Sequence, residues 1–462
     1  MSSGGPEGLT RRHLAGLAGL GALGAFGAAG AAAALEQEAP ARTSPGRAGA
    51  QWVDVTRPPY GARGDGTGDD RPAIQMAIDA MAENERGGVV FLPPGTYMLS
   101  APGLNQKTGV HLVGASREAT RLKLQPRQNC SIIWADADRQ GAFADCRVQS
   151  MTLDGDIFGQ TDGSDEVAGI RWHNSRKEKE YASASIDGHL VPRCVIDDVV
   201  VQSVRGRGVH LRGYGDNWII NTMVSNTRYE GFALVEGFDN RVMNCIAAAT
   251  GREGFLLSQS NTMLIGCKAY FTGEWSFDSG ERLGHGMSIG GTCNIILGCE
   301  VQDTWGDGFR IWNPRTRGRR VGSGHARMNQ IIGCLANGVG SVDKAFEDKK
   351  NRSEECAAFR IADGGQVENN LIESCLHVDR YAMWGGSRKT RTELGAAIDG
   401  GKLNTIRFHE AQEQSSRHSP RVAADSGLIV RNGVEFFGVP TSNPGPGRLW
   451  LDPNAGNVLK LG

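Results

Sequence analysis

Six short segments of this chain share one shape at near-constant spacing: Gly208-Val-His-Leu211, Gly231-Phe-Ala-Leu234, Gly254-Phe-Leu-Leu257, Gly286-Met-Ser-Ile289, Gly308-Phe-Arg-Ile311 and Ala358-Phe-Arg-Ile361. The steps are 23, 23, 32, 22 and 50 residues, and Gly169-Ile-Arg-Trp172 reads as an earlier member. Each is followed by a second apolar stretch, which in all but the first of the six ends near a cysteine, as in Asn240-Arg-Val-Met-Asn-Cys245 and Asn294-Ile-Ile-Leu-Gly-Cys299. A unit of about 22 residues with two or three short strands cannot bury its apolar face alone and must stack on its neighbours. The spacing therefore predicts an all-β fold, a right-handed parallel β-helix. Leucine-rich repeats would show fixed Leu and Asn positions, and a propeller blade needs roughly 40 residues. The steps of 32 and 50 mark insertions into the loops of otherwise regular coils.

Composition agrees with a chain that turns often: 65 of its 462 residues are glycine, about twice the usual share of ~7 %. Fifty Lys and Arg against 51 Asp and Glu exclude a generally basic nucleic-acid binder and an acidic solvating protein. Thr10-Arg11-Arg12-His13 precedes a weakly apolar run to Leu35, rich in Ala, Gly and Leu. That pattern resembles a twin-arginine export signal. The expected organisation is an export signal over 1–34, a linker over 35–50, a capped β-helix over 51–400, and terminal coils and strands over 401–462. The mature protein is expected to be exported, with no stable membrane insertion after processing. Cys245, Cys267, Cys299, Cys334 and Cys375 recur in one context, which reads as a buried column rather than a set of bridges. Cys130 and Cys146 stay open to pairing.

An open first coil would expose its core, so a cap is expected at the N-terminal end. Asp69-Asp70-Arg71-Pro72 signals a helix start, and Ile74, Ala77, Ile78 and Met81 recur at helical spacing. A strand, Gly88 to Leu92, and a turn, Pro93-Pro94-Gly95-Thr96-Tyr97, should follow. The stretch Tyr60 to Asp70, the Ala-Ile-Gln-Met-Ala-Ile helix and Gly87 to Tyr97 closely resemble the opening of the pectate-lyase-like superfamily. Polygalacturonases, rhamnogalacturonases and many phage tailspikes share that opening. The likeness covers about 50 residues and implies the fold, not the chemistry.

Within the repeat, the residues one and three after the Gly are apolar and are expected to point inward. Those one before, two after and four after it are expected to face outward. The column before the Gly reads Arg207, Glu230, Glu253, His285, Asp307; two after it come His210, Ala233, Leu256, Ser288, Arg310, Arg360. Four after it stand Arg212, Val235, Ser258, Gly290 and Trp312. Stacking at ~4.8 Å per coil would gather three carboxylates, a His and several Arg into one patch roughly 20 Å long. A solvated coil face is the plain alternative, yet like charges on adjacent coils cost stability unless compensated.

Gly284-His285-Gly286 and Gly308-Phe-Arg310-Ile311 resemble two of the four motifs of polygalacturonase-type hydrolases. The same register sets Tyr229-Glu230-Gly231 and Arg252-Glu253 on that family's acidic motifs. The resemblance implies that Glu230 and Glu253 activate water, that His285 assists and that Arg310 binds a substrate carboxylate. Arg252 stands where the family's general acid would be, and an Arg cannot donate a proton at working pH. Trp312 replaces the family's Lys. Asp307 is the substitute acid, while Arg207, His210, Arg252 and Trp312 complete the expected substrate contacts. Neighbouring coils would set Glu230 and Glu253 ~5 Å apart, in the retaining range, and Glu253 and Asp307 ~10 Å apart, near the inverting range.

The expected function is cleavage of glycosidic bonds in an acidic polysaccharide or oligosaccharide. Arg315, Arg317, Arg319, Arg320 and Arg327 beside Arg310, with Trp275, Trp305 and Trp312, suit such a polymer. The alternatives are a lyase, epimerase or fructan transferase on the same fold, or a non-catalytic carbohydrate-binding or adhesion β-helix. No cofactor or metal is expected for a hydrolase. A lyase could hold Ca²⁺ on Glu230 and Glu253. A nucleic-acid partner is not expected, and no phosphate loop, metalloprotease helix or dinucleotide fingerprint occurs.

Overall fold

The computed structural model describes residues 51–408 except 86, 138–142, 174–192, 214, 274–283, 314–324, 341–355, 363–365, 379–396 and 400–402, together with 422–424, 449–452 and 458–461. The expected export signal and linker, Trp275, and the arginines at 315, 317, 319 and 320 lie outside the described residues.

The helix α1, Arg71–Ala82, covers the N-terminal end and buries Ile74, Gln75, Ala77, Ile78 and Met81. Pro sits in its first turn, but Asp70 does not cap it through its side chain. That carboxylate instead accepts the Arg63 and Gly64 main-chain N–H groups, at 2.6 and 3.2 Å, and so closes the preceding loop. The strand Gly88–Leu92 forms as expected, while Gly95–Leu99 is a strand rather than the rest of a turn.

The repeated segments form one parallel sheet that follows chain order. Its strands are β1 (Leu104–Asn105), β2 (Ile133–Asp136), β3 (Ala168–His173), β4 (Arg207–Arg212), β5 (Phe232–Phe238), β6 (Phe255–Ser260), β7 (Met287–Thr292), β8 (Phe309–Ile311), β9 (Phe359–Ile361), β10 (Ala397–Asp399) and β11 (Val422–Ala424). Val209 pairs with Phe232, Phe232 with Phe255, Phe255 with Met287, Met287 with Phe309 and Phe309 with Phe359. The repeat also extends two strands earlier than expected, because Ile132 stands where β2 would carry the Gly, and β1, though led by Gly103, has Gln106 in place of the second apolar residue. Two further ladders complete each coil; Met223–Thr227, Ile246–Thr250 and Lys268–Thr272 belong to one, and Trp218–Ile220, Arg241–Met243 and Met263–Ile265 to the other.

The faces enclose an apolar core built of like on like. Phe232 stacks on Phe255 at 4.7 Å between ring centroids, and Phe309 on Phe359 at 5.2 Å. Cys245, Cys267, Cys299, Cys334 and Cys375 are buried and unbridged, and Cys130 and Cys146 are free thiols too. Beside them runs a polar column the repeat pattern did not announce. Asn294 donates to Asn329, Asn329 to Asn370 and Asn370 to Asn404, each through side-chain amides at 2.9 to 3.0 Å. Leu449–Asp452 pairs antiparallel with Val458–Leu461 in a separate two-stranded sheet.

Candidate active site

Main-chain hydrogen bonds fix the column that precedes the repeated Gly. Gly208 donates to the Glu230 carbonyl, Gly231 to Glu253, Gly254 to His285 and Gly286 to Asp307, all at 3.0 to 3.1 Å. Glu230, Glu253, His285 and Asp307 therefore stand on four successive coils. Strict alternation would give them the parity of the core residue Phe232. Instead they lie in the bend ahead of each strand, and their side chains meet outward residues of the strand: Arg310 reaches His285 and Arg360 reaches Asp307. Arg207, at the head of β4, likewise reaches His210.

The patch is buried rather than solvated. Glu230, His285 and Asp307 are at most 2 % exposed, and Glu253 is 5 % exposed. Burial of this kind penalises charge, so the partners of each group decide its state.

Glu230 is clamped between two guanidinium groups. Arg207 Nε donates to its Oε2 at 2.6 Å and Arg252 Nη1 to its Oε1 at 3.4 Å. Burial alone would raise its pKa, but the charges of Arg207 and Arg252 hold it well below the usual glutamate range. Expected to activate water, Glu230 is instead a fixed anion with both oxygens engaged. Arg207 also faces Asp165 at 3.6 Å and donates to His210. These two expected substrate contacts are therefore structural. His210 is 1 % exposed, and burial, with Arg207 next to it, keeps its ring deprotonated.

Glu253 behaves in the opposite way. Its Oε2 is buried and has no hydrogen-bond partner. Burial first, and the anion on Glu230 second, push its pKa up to about 7, against the smaller opposing pull of its own N–H, Arg252 and Arg310. Two carboxylates on adjacent coils thus have proton affinities driven apart, which is how acid and base roles are separated in enzymes.

On the next two coils His285, Asp307, Arg310 and Arg360 form one network. Arg310 Nη1 lies 2.7 Å from His285 Nε2, and the Asp307 N–H donates to Nδ1 at 2.9 Å. Asp307 accepts Arg360 Nε on both oxygens at 2.9 Å, and the Ala357 N–H on Oδ1 at 2.9 Å. Burial would raise its pKa, but His285, Arg360 and Arg310 together lower it. An ionised, triply held Asp307 is a poor proton donor, so it does not serve as the substitute acid.

Between Glu230's cluster and this one the outward face turns apolar. Ala233, Val235 and Leu256 form a small separate core against which Trp312 packs. Trp312 carries Arg310 over its ring at 5.7 Å, and Arg252 lies over Tyr229 at 4.5 Å. These four half-buried side chains make a cationic and aromatic rim around Glu253. The buried hydroxyl of Ser288 and the Trp312 Nε1 have no partner either. Tyr229, Ser288 and Arg360 were missed as site residues. Ser288 and Arg360 stood in the outward column, and only contacts distinguish them from a solvated face. A calcium ion shared by Glu230 and Glu253 does not fit, because guanidinium groups occupy both Glu230 oxygens and would repel it. Among the described residues no cluster of three His, Cys, Asp or Glu is placed to hold a metal.

A family profile described as Rhamnogalacturonase A/epimerase, pectate lyase-like, matches residues 52–256. The match spans less than half of the chain, and over those residues the sequence is similar to that pectate-lyase-like family. Over 114 residues, 22 % of this chain and 6 % of the relative, it is 40 % identical to mannuronan C5-epimerase AlgE3 of Azotobacter vinelandii. Alginate lyase 7 of the same organism is 35 % identical over 114 residues, 22 % of this chain and 13 % of the lyase. The chain therefore spans only 6 % and 13 % of the length of these curated relatives. Two solved structures share the fold at 15 % identity. One is the enzymatically active domain of tailspike protein 2 of bacteriophage CBA120, with a TM-score of 0.58 over 78 % of this chain and 47 % of that one. The other is the catalytic domain of a GH87 alpha-1,3-glucanase, with a TM-score of 0.52 over 85 % of this chain and 65 % of that one.

Proposed function

We propose that this protein is an exported enzyme acting on an acidic polysaccharide, a uronan, by removing the proton at C5 of a uronate ring, as a lyase or an epimerase does. The carrying observation is the buried carboxyl of Glu253, with its Oε2 unpartnered and protonatable near neutrality, on a column with two carboxylates, Glu230 and Asp307, that arginines hold ionised. A glycosidase of either stereochemistry needs a second carboxylate free to meet water or the sugar. Glu230 and Asp307 are both engaged, which weakens the polygalacturonase-like reading. Proton abstraction next to a carboxylate needs different parts: a cation on that carboxylate, and one or two groups that exchange protons. Arg310 and Arg252 supply the cations on the rim. His285 and Glu253 exchange protons from adjacent coils, and Glu253 in its protonated form can donate to the leaving oxygen or back to carbon. Tyr229 and Trp312 offer faces for sugar rings. The similarity to an epimerase and an alginate lyase supports this class, and the Arg11-Arg12 pair supports export.

The test is incubation with polymannuronate, polyguluronate, polygalacturonate and neutral glucans in deuterated water. Ultraviolet absorbance from an unsaturated uronate identifies a lyase. Deuterium at C5 with unchanged chain length identifies an epimerase. New reducing ends with neither signal would establish hydrolysis and overturn the C5 reading, and binding without product would make the protein a carbohydrate-binding β-helix.

A further inference from the structure

We infer that Arg360 is a positioning residue for His285, acting through Asp307. This rests on the proposed role of His285, but the contacts that carry it stand apart from the choice of substrate. Arg360 arrives on β9, one coil beyond Arg310 and after the 50-residue step, and its register places it directly beside Arg310. Its guanidinium turns to Asp307, whereas that of Arg310 turns to His285. Its Nε sits astride the Asp307 carboxylate, 2.9 Å from each oxygen. Asp307 in turn meets His285 twice: its N–H is 2.9 Å from Nδ1, and its Oδ2 is 3.4 Å from the same nitrogen. The far ring nitrogen, Nε2, is then presented to Arg310 at 2.7 Å, toward the rim.

Each link restricts the next. Asp307 is 1 % exposed, so its charge persists only while hydrogen-bonded cations hold it. With Arg360 in place, both oxygens are drawn toward β9, and Oδ2 stays 3.4 Å from the ring rather than closing on it. Without Arg360, the buried carboxylate has the Ala357 N–H, Arg310 and His285 to turn to. It would close on Nδ1, favour the protonated imidazolium and rotate the ring away from the geometry that serves proton exchange. The charged groups facing this pair are Arg310 and Arg360, with Glu253 on the coil before. Arg360 thus shares with His285 the task of holding Asp307 ionised, and its loss shifts that task onto the ring.

The test replaces Arg360 by Met, and separately by Lys, in the full chain and follows the ¹⁵N shifts of the His285 ring against pH. The resonance is assigned by its loss in His285→Gln. In R360M the ring should become protonated at higher pH than in the parent. In R360K, a point charge that spans the two oxygens less well, the shift should be smaller. With an active substrate, kcat should fall about 10²-fold with KM nearly unchanged, the scale of a small misplacement of a reacting group. Unchanged His285 shifts in folded R360M, or in R360K if the Met variant does not fold, would overturn the inference. Absence of turnover in the parent on every uronan would count against the proposed function alone, because the ring shifts are read without substrate.

Discussion

At the scale of single residues, the two glutamates of the site carry opposite pH signatures. Glu253 has a folded pKa of about 7, above its ordinary 4.5. Its folded environment favours the protonated form, so the stability it contributes is full below about pH 4.5 and is lost as pH rises through about 7. Glu230 is lowered, so its contribution is present above its ordinary value and lost as pH falls well into the acid range. Replacing Glu253 by Gln keeps the shape and removes the titration. The difference in stability between the variant and the parent should therefore move in the variant's favour from about pH 5 to about pH 8, by up to a few kcal/mol. Thermal unfolding at matched pH values reads this directly, and a difference flat with pH would show that Glu253 is ionised throughout. The same substitution should cost about 10²–10⁴-fold in turnover if Glu253 is a proton-exchanging group. Arg252→Ala should weaken uronan binding more than it perturbs folding, since its side chain is on the rim, whereas Arg207→Ala should destabilise the fold because it strands the buried Glu230.

At the scale of the element, glycine explains why the repeat can be read at all. A Cβ built on Gly208, Gly231, Gly254, Gly286 or Gly308 would lie 2.5 to 2.8 Å from the carbonyl oxygen of the next coil. These five coils need a residue without a side chain where they bend into the site strand, while Ala358 holds the same place on β9, so the chain advertises its own register. Gly298 serves a different need, with φ +59° and open space around its Cβ. Gly254→Ala should cost roughly 1–3 kcal/mol through overpacking and disturb Glu253 beside it. Gly298→Ala should cost about 1 kcal/mol from backbone strain alone and leave the site intact. Urea titration of the two variants, with turnover measured on each, separates the cases; equal effects on both readouts would contradict this assignment. Strand order, core stacking and the identity of the four-residue column were legible from this spacing. Which arginine holds which carboxylate was not, because Arg207, Arg252, Arg310 and Arg360 all look like groove cations until their side chains are placed. Nor was the facing of the column before the Gly, which depends on a bend and not on strand alternation.

At the scale of the molecule, the described coils are joined mainly by hydrogen bonds between neighbours, and the asparagine column shows what one such joint is worth. Asn294 is fully buried. Its Oδ1 accepts the Thr262 N–H at 2.9 Å, and its Nδ2 donates to the Gly290 carbonyl and to Asn329 Oδ1, both at 2.9 Å. It thereby ties the coil of Glu253 to that of His285 and onward to the next. Asn294→Ala removes the partner of the buried Thr262 N–H and the side-chain donor to the Gln259 and Gly290 carbonyls, while Asn329 Oδ1 keeps the Asn294 main-chain N–H. The cost is about 1–3 kcal/mol for each group left unsatisfied. In a solenoid such a loss stays local, because a distant coil shares no contact with the broken joint. Hydrogen exchange should therefore lose protection first at Thr262 to Leu264 and Ile295 to Leu297, while Val90 and Leu112 near the cap keep theirs until global unfolding. The coils that loosen are those that align Glu253 with His285, so turnover should fall before the far-ultraviolet spectrum changes. Equal loss of protection along the whole chain would mean that the β-helix opens as a single unit and that the site draws its rigidity from the entire stack.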